Sequence, residues 1–334
     1  MKRVLLTGAS GFVGAHVLRH ILKNTDWHVV CLTTFKHKGL QDRIKFAISG
    51  IDDDFNRVDI MLCDLSSPIS PITAQKFGKI DYVINVASES HVDRSISSPT
   101  PFILNNVSLI CHMLDWARYA DIEKFIHIST DEIYGPYQNR HAVEWDPHLP
   151  SNPYSASKAA QEDIAYAYWR TFDIPIAITN TMNMIGETQS SEKYTPLLIK
   201  QILNNETVKI HTFGNGEIGS RFWLYARNKA DAILHILNKD FAMSNDTNKL
   251  DRWNIAGDKE YNNLDWAQKV ADILGVKLNY ELVDSSKSRP GYDSRYALDN
   301  KKLNESGWKS PFDLDLALEQ TIKWYLNNKE WLNI

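Results

Sequence analysis

Apolar residues along the chain come in short runs divided by polar, glycine-bearing or proline-bearing stretches, and their spacing alternates between the period of strands and that of helices. Val4, Leu5 and Leu6 close on Gly8, after which Val17, Leu18, Ile21 and Leu22 recur at helical spacing. This pattern predicts strand, glycine turn and helix across residues 3–24. Further apolar runs at 28–32, 58–63, 82–87 and 125–128 predict buried strands, each bounded by polar or proline-containing loops. Residues 102–117 place Ile103, Val107, Ile110, Leu114 and Ala117 at alternating steps of four and three, an apolar seam suited to a sheet or to a partner helix. Strand and helix alternate throughout, which predicts an α/β fold with a doubly wound parallel sheet and right-handed crossovers.

Composition narrows the class. The 334 residues, 43% of them hydrophobic, suffice for a full core in one large or two modest domains. No apolar run approaches the roughly 18–20 residues that span a bilayer, and the opening Met1-Lys2-Arg3 meets a glycine turn too early for a secretory signal. A cytoplasmic protein without a membrane partner is expected. Cys31, Cys63 and Cys111 lack metal-ligand spacing and sit in apolar surroundings, so they are expected as reduced core residues, and no metal site is predicted. A formal charge of −4 supplies no global field for nucleic acid, so any phosphate binding must be local.

Four stretches carry candidate chemistry. Gly8, Gly11 and Gly14 form a GxxGxxG turn that ends the first strand and opens the first helix, with Phe12 and Val13 between the last two glycines. Glycines let backbone approach a pyrophosphate, and the helix start offers free N–H groups to it, so this is a dinucleotide-binding turn. The second strand ends at Thr33, where no carboxylate is present to bind ribose hydroxyls, while Lys36 and Lys38 stand ready to face a 2′-phosphate. That composition leans towards NADP over NAD, although the lysines also fit a solvated loop. Ser129-Thr130-Asp131-Glu132 follows the strand at 125–128 and puts two acids at a strand end, which by itself fits a turn or cap as well as a site. Finally, Pro153 can start a helix on which Tyr154 and Lys158 lie one turn apart, and an ammonium beside a phenol favours the phenolate as a base.

Together these stretches resemble the extended short-chain dehydrogenase/reductases, and within them most closely the dTDP-glucose 4,6-dehydratases. The resemblance runs nearly end to end: TGASGFVG at 7–14, ASESHVDRSI at 87–96, STDEIYG at 129–135, NPYSASKAA at 152–160, EKYTP at 192–196, RFWLY at 221–225, WNIAG at 253–257 and RPGYDSRYALD at 289–299. It implies a Rossmann domain at 1–181 with 221–258 partly returning to it, and a smaller interleaved domain at 182–220 and 259–334 that holds a nucleotide-diphosphate sugar. It also implies tightly bound NAD(P) contacted by Gly8, Gly11, Phe12, Val13, Gly14, Thr33, Lys36, Lys38, Asp64, Leu65, Ala87, Tyr154 and Lys158, and a homodimer through helices at roughly 99–119 and 153–172.

The implied reaction is an NAD(P)-dependent lyase reaction giving a 4-keto-6-deoxy sugar. Tyr154 takes the 4-hydroxyl proton while Thr130 hydrogen-bonds and Lys158 tunes the phenol; Glu132 removes the proton at carbon 5; Asp131, protonated, donates to the departing 6-hydroxyl. Adjacent acids must then hold different protonation states, as like charges at close range allow. Ser90, His91, Asn183, Lys193, Arg221, Asn254, Arg289 and Tyr292 are the implied substrate contacts. The chain departs from the family pattern at Thr33, at Met184-Ile185-Gly186-Glu187, at Phe222 and at Tyr292, positions around coenzyme, sugar and nucleotide. A 4-epimerase or a 5,6-dehydratase would use much of the same set, and a non-enzymatic coenzyme-binding module would not need Tyr154 and Lys158.

Overall fold

The computed structural model describes residues 1–36, 40–51, 54–284 and 293–334. Lys38, Arg289 and Tyr292 therefore lie outside the described residues.

A seven-stranded parallel sheet forms the centre. Its strands are β1 (Arg3–Thr7), β2 (His28–Thr33), β3 (Val58–Leu62), β4 (Tyr82–Asn85), β5 (Lys124–Ile128), β6 (Ile176–Thr181) and a last strand, Asp251–Ile255. The spatial order runs β3-β2-β1-β4-β5-β6 and then Asp251–Ile255, all parallel. Such strands are apolar on both faces because helices cover both. In β1, Val4 and Leu6 pack into one core with Val17, Leu18 and Ile233, whereas Leu5 faces the other with Ile110, Met113 and Trp169. Strand order reverses between β1 and β4, which opens a crevice at their carboxyl ends.

The helices arise where the patterns place them. Helix Phe12–Asn24 follows the glycine turn directly. Helix Pro153–Phe172 begins at a reciprocal cap: the Ser155 N–H donates to Asn152 Oδ1 at 2.9 Å and the Asn152 N–H donates to Ser155 Oγ at 3.1 Å, with Pro153 preset in the first turn. The buried stripe of helix Pro99–Ala117 runs through Phe102, Asn106, Leu109, Ile110, Met113, Leu114 and Ala117. Ile103 and Val107 of the expected seam are only half-buried on its flank, so the stripe is rotated from the strict heptad positions.

A third apolar cluster gathers segments beyond residue 182. Ile185, Leu198, Ile199, Trp223, Trp266, Val270, Leu318 and Tyr325 pack together, with the Trp223 and Trp266 rings stacked at 4.6 Å. Helix Ala226–Leu237 and the strand Asp251–Ile255 lead the chain back to the sheet.

Candidate active site

The glycine turn is as tight as its spacing implies. Gly8 has φ 67°, and its N–H donates to the Leu32 carbonyl at 3.0 Å while its own carbonyl receives the Gly11 N–H at 2.8 Å. A Cβ on Gly14 would lie 2.1 Å from the Gly8 carbonyl oxygen, so only glycine lets helix Phe12–Asn24 sit this close to the strand end. No side chain caps that helix and no acid lies in its first turn, which leaves its first N–H groups turned to the crevice without competition. Thr7 Oγ1 donates to Asn85 Oδ1 at 2.7 Å and accepts the N–H groups of Val86 and Ala87 at 3.0 and 2.9 Å, tying Ala87 beside the turn. Val13 packs on the core and Phe12 meets His16 edge-on at 5.2 Å. This cradle, made of glycines and uncapped N–H donors, fits a dinucleotide.

On the adenosine side, the Thr33 hydroxyl is buried against the Ser10 hydroxyl. Lys36 donates to Asp64 at 2.7 Å, and that contact, with two more from Ser66, holds the Asp64 carboxyl down at about 2. The Lys36 charge is thus already matched by a carboxylate. Leu65 is buried, and its carbonyl lies 2.8 Å from His112 Nδ1.

Thr130, Asp131 and Glu132 leave β5 at its carboxyl end as a 3₁₀ turn, Asp131–Tyr134, capped by the Thr130 hydroxyl. Thr130 Oγ1 donates to Asp131 Oδ1 at 2.9 Å, and Asn152 Nδ2 donates to Glu132 Oε2 at 3.3 Å. Burial first, and then the neighbouring Glu132 charge, push the Asp131 carboxyl up to about 7. Burial also raises Glu132, against the Asn152 hydrogen bond and the charges of Arg221 and Lys193. An acid near 7 beside a second carboxylate can hold a proton at neutral pH and give it up.

Tyr154 reaches the same chamber from helix Pro153–Phe172, close enough to Thr130 to share a hydrogen bond with its hydroxyl. Here the structure differs from the phenolate expected from the Tyr-Lys spacing. Burial and the Glu132 charge drive the Tyr154 phenol well above its ordinary value, and the Thr130 contact only partly opposes this. Lys158 is buried; its ammonium donates to the Ile128 carbonyl at 2.7 Å and to Gln161 Oε1 at 2.6 Å, and burial brings it down to about 7. Its hydrogen bonds go to the helix and strand, so the one-turn spacing brings the two residues to one chamber without pairing phenol and ammonium.

The expected sugar and nucleotide contacts divide. Lys193 donates to the Ser90 carbonyl at 3.3 Å, His91 Nε2 lies 3.7 Å from Glu192, and the Lys193 charge acts on Glu132, so these residues rim the acid pair. Asn183 is exposed, its carbonyl accepting the Leu224 N–H at 2.9 Å. Arg221 is 4% exposed, its guanidinium donating to the carbonyls of Ser294 and Asp293 at 2.8 and 2.9 Å and lying 4.7 Å over the Tyr296 ring. It holds the returning C-terminal segment against the site. Asn254 is wholly buried on its strand, with Nδ2 donating to the Ala142 carbonyl at 2.9 Å. A side chain so enclosed fastens the 142 segment to the sheet.

Two residues of the chamber, Tyr296 and Lys229, are not among the expected site residues. The Tyr296 hydroxyl donates to Asp293 Oδ2 at 2.7 Å and lies 3.5 Å from Glu132 Oε2, a contact across more than 160 positions that only the fold creates. Lys229 is 1% exposed and brought down to about 7 by burial and then by the Lys158 charge, although a lysine on an amphipathic helix ordinarily faces solvent. Glu187, one of the departures from the family pattern, is buried and matched by Arg227 and by the Tyr225 hydroxyl at 3.0 Å. Phe222, another departure, sets its ring edge-on to His141 at 5.3 Å.

Comparison with known proteins agrees with this geometry. A family model described as "NAD dependent epimerase/dehydratase family" matches residues 4–256. The Haemophilus influenzae dTDP-glucose 4,6-dehydratase is 33% identical over 98% of this chain and 99% of its own length. The low-salt glycan biosynthesis protein Agl12 of Haloferax volcanii is also 33% identical, with the same coverage. Among solved structures, the Streptomyces venezuelae dTDP-glucose 4,6-dehydratase DesIV, determined with NAD bound, superposes with a TM-score of 0.85 at 27% identity, covering 98% of each chain.

Proposed function

The chain belongs to the NAD dependent epimerase/dehydratase family, and from that premise we propose that it is a nucleotide-diphosphate-sugar 4,6-dehydratase, with dTDP-glucose the first substrate to try. The observation that carries the reading is the pair of Asp131, buried, and Glu132, half-buried, beside Tyr154, because acids at this place serve water loss, which simple epimerisation does not need. The full-length relatives named dTDP-glucose 4,6-dehydratase support it.

Each side chain then has a task. Thr130 holds the sugar 4-hydroxyl and Tyr154 takes its proton as the phenolate; because burial and the Glu132 charge hold the phenol high, its own proton must first be lost to solvent, a loss that the positive charge of a bound nicotinamide would favour. A dinucleotide held at the Gly8–Gly14 turn would supply a reversible hydride acceptor for carbon 4, which would make the overall change redox-neutral. The 4-ketone acidifies the hydrogen at carbon 5, which Glu132 removes. Asp131, protonated near neutral pH, delivers its proton to the leaving 6-hydroxyl. Lys158 and Lys229, both brought down to about 7 by burial, are only partly charged near neutral pH, and Lys193 acts on Glu132 from the substrate side.

NAD is the coenzyme in this reading. The Lys36–Asp64 pair supports it against the NADP preference drawn from composition, since Lys36, one of the two lysines expected to meet a 2′-phosphate, already has a carboxylate on it. A cytoplasmic homodimer is the proposed working state, built on helices Pro99–Ala117 and Pro153–Phe172; no helix among the described residues is long and apolar enough to cross a membrane.

The test is incubation with dTDP-, UDP-, CDP- and GDP-linked hexoses, read by mass spectrometry, together with extraction of the copurified coenzyme. Loss of one water with the absorbance of a 4-ketone in base is expected for at least one sugar. A product of unchanged mass overturns dehydration in favour of epimerisation, and recovery of NADP alone overturns the coenzyme assignment.

A further inference from the structure

Behind the acid pair lies a buried charge that the reaction itself does not use. Glu162, one turn beyond Lys158 on the same helix, is 0% exposed. Its Oε1 accepts a hydrogen bond of 2.6 Å from Asn180 Nδ2, and its Oε2 lies 3.4 Å from Arg252 and 3.6 Å from His148 Nε2. Burial works to raise this carboxyl, but His148 and Arg252 outweigh it and hold Glu162 below its ordinary value, so a full negative charge sits there.

Asn180 links that charge to the site. It too is wholly buried, on β6, and the same Nδ2 that reaches Glu162 also donates to the backbone carbonyl of Thr130 at 3.2 Å. One amide nitrogen carries two hydrogens, so both bonds form at once. The last ladder bond between the strands is the Ser129 N–H to the Thr179 carbonyl at 2.8 Å, one residue earlier. Beyond it, the Thr130 carbonyl is held by Asn180. A peptide unit is planar, so fixing that carbonyl fixes the plane from which Asp131 and Glu132 depart. The Tyr134 hydroxyl, at the far end of the same 3₁₀ turn, lies 3.4 Å from Asn180 Oδ1.

We propose that Glu162 is a positioning residue which, acting through Asn180, sets the Thr130 peptide plane and so the aim of Thr130, Asp131 and Glu132 at the sugar. The proposal rests on the dehydratase reading for the identity of the substrate, but the geometry it invokes precedes any water loss. A carboxylate is required because a charged acceptor draws one N–H of Asn180 firmly, leaving the other directed at the carbonyl. Arg252 and His148 lie within ion-pair distance of the other carboxylate oxygen, 3.4 and 3.6 Å away, and offset its burial.

The experiment reads the first step, reduction of bound coenzyme by dTDP-glucose, which an epimerase would share with a dehydratase. In rapid mixing of the full chain, Glu162→Gln and Asn180→Ala should each slow reduction at saturating sugar by about 10–100-fold with sugar affinity held within about twofold, because only aim is lost. The double variant should be no slower than Asn180→Ala alone, the sign of one path of action. Wild-type reduction in Glu162→Gln, or slowing that multiplies in the double variant, overturns the proposal. Should Glu162→Gln not fold, Glu162→Asp carries the same test, since the charge stays but is drawn back by one methylene: slower reduction at unchanged affinity supports the proposal and a wild-type rate overturns it. Reduction without water loss in the wild type would remove the dehydratase reading and leave the positioning claim to be judged on the reduction rates. No reduction with any nucleotide sugar would remove both.

Discussion

Replacing Asp131 by asparagine keeps the shape of the side chain and abolishes its ionisation, which makes the raised carboxyl measurable as stability. Burial, and then Glu132, push Asp131 from an ordinary 3.8 up to about 7. Between those values the folded protein keeps a proton that the unfolded chain has released, so wild-type stability falls as pH rises through that window and levels off above it. Three units of displacement at ~1.4 kcal/mol each give about 4 kcal/mol as a ceiling. The repulsion is shared with Glu132, which titrates with it, so about 2–3 kcal/mol is the working expectation. Urea unfolding of both proteins at about pH 4 and about pH 8 reads the difference. Asp131→Asn should be close to wild type at the lower pH and about 2–3 kcal/mol more stable relative to it at the higher one. Parallel pH dependences would refute the claim that Asp131 is held protonated by its surroundings. The same variant should still let the sugar reduce the coenzyme while losing the proton donor for the 6-hydroxyl.

Other outcomes follow from the same geometry. Glu132→Gln should permit coenzyme reduction but slow water loss by about 100-fold or more, seen as reduced coenzyme accumulating in a single turnover; near wild-type release of the 4-keto product would exclude Glu132 as the base. Tyr154→Phe should stop the reaction one step earlier, so that no reduced coenzyme accumulates, and normal accumulation would remove Tyr154 from the first proton transfer. Gly14→Ala forces a Cβ to within 2.1 Å of the Gly8 carbonyl, and a loss of about 3 kcal/mol with no copurified coenzyme is expected; wild-type melting with bound NAD would show that the turn can relax.

What the chain order reveals is local geometry. The turn at Gly8, Gly11 and Gly14 is readable because a strand, three glycines and a helix follow one another without interruption, and each glycine answers a constraint only a few residues away. The placement of Tyr154 and Lys158 on one helix turn is readable for the same reason. Their electrostatics are not. Lys158 finds the Ile128 carbonyl 30 positions earlier, and Tyr154 is governed by acids on another element. Asn254 reads as a ligand contact from its motif, while its burial beside β6 and its bond to the Ala142 carbonyl come from strand pairing that the motif does not carry. The Lys36–Asp64 pair joins loops after two neighbouring strands, which become neighbours only when the sheet forms. Tyr296 and Glu162 carry no spacing signal because what each does depends on a partner brought in by the topology.

The strand Asp251–Ile255 pairs with β6 from Ala177↔Asp251 to Thr181↔Ile255. During synthesis this edge stays open until residue 255 has left the ribosome, with β6 already made and one row of its backbone groups unpaired. The roughly 70 residues from 182 to 255 take on the order of 4–14 seconds at about 5–20 residues per second. Through that interval the nascent chain carries a sheet edge able to join a neighbouring chain on the same message. Slow decoding across this stretch should therefore lower the soluble yield, whereas the same delay placed after residue 255 has emerged from the ribosome should leave it unchanged.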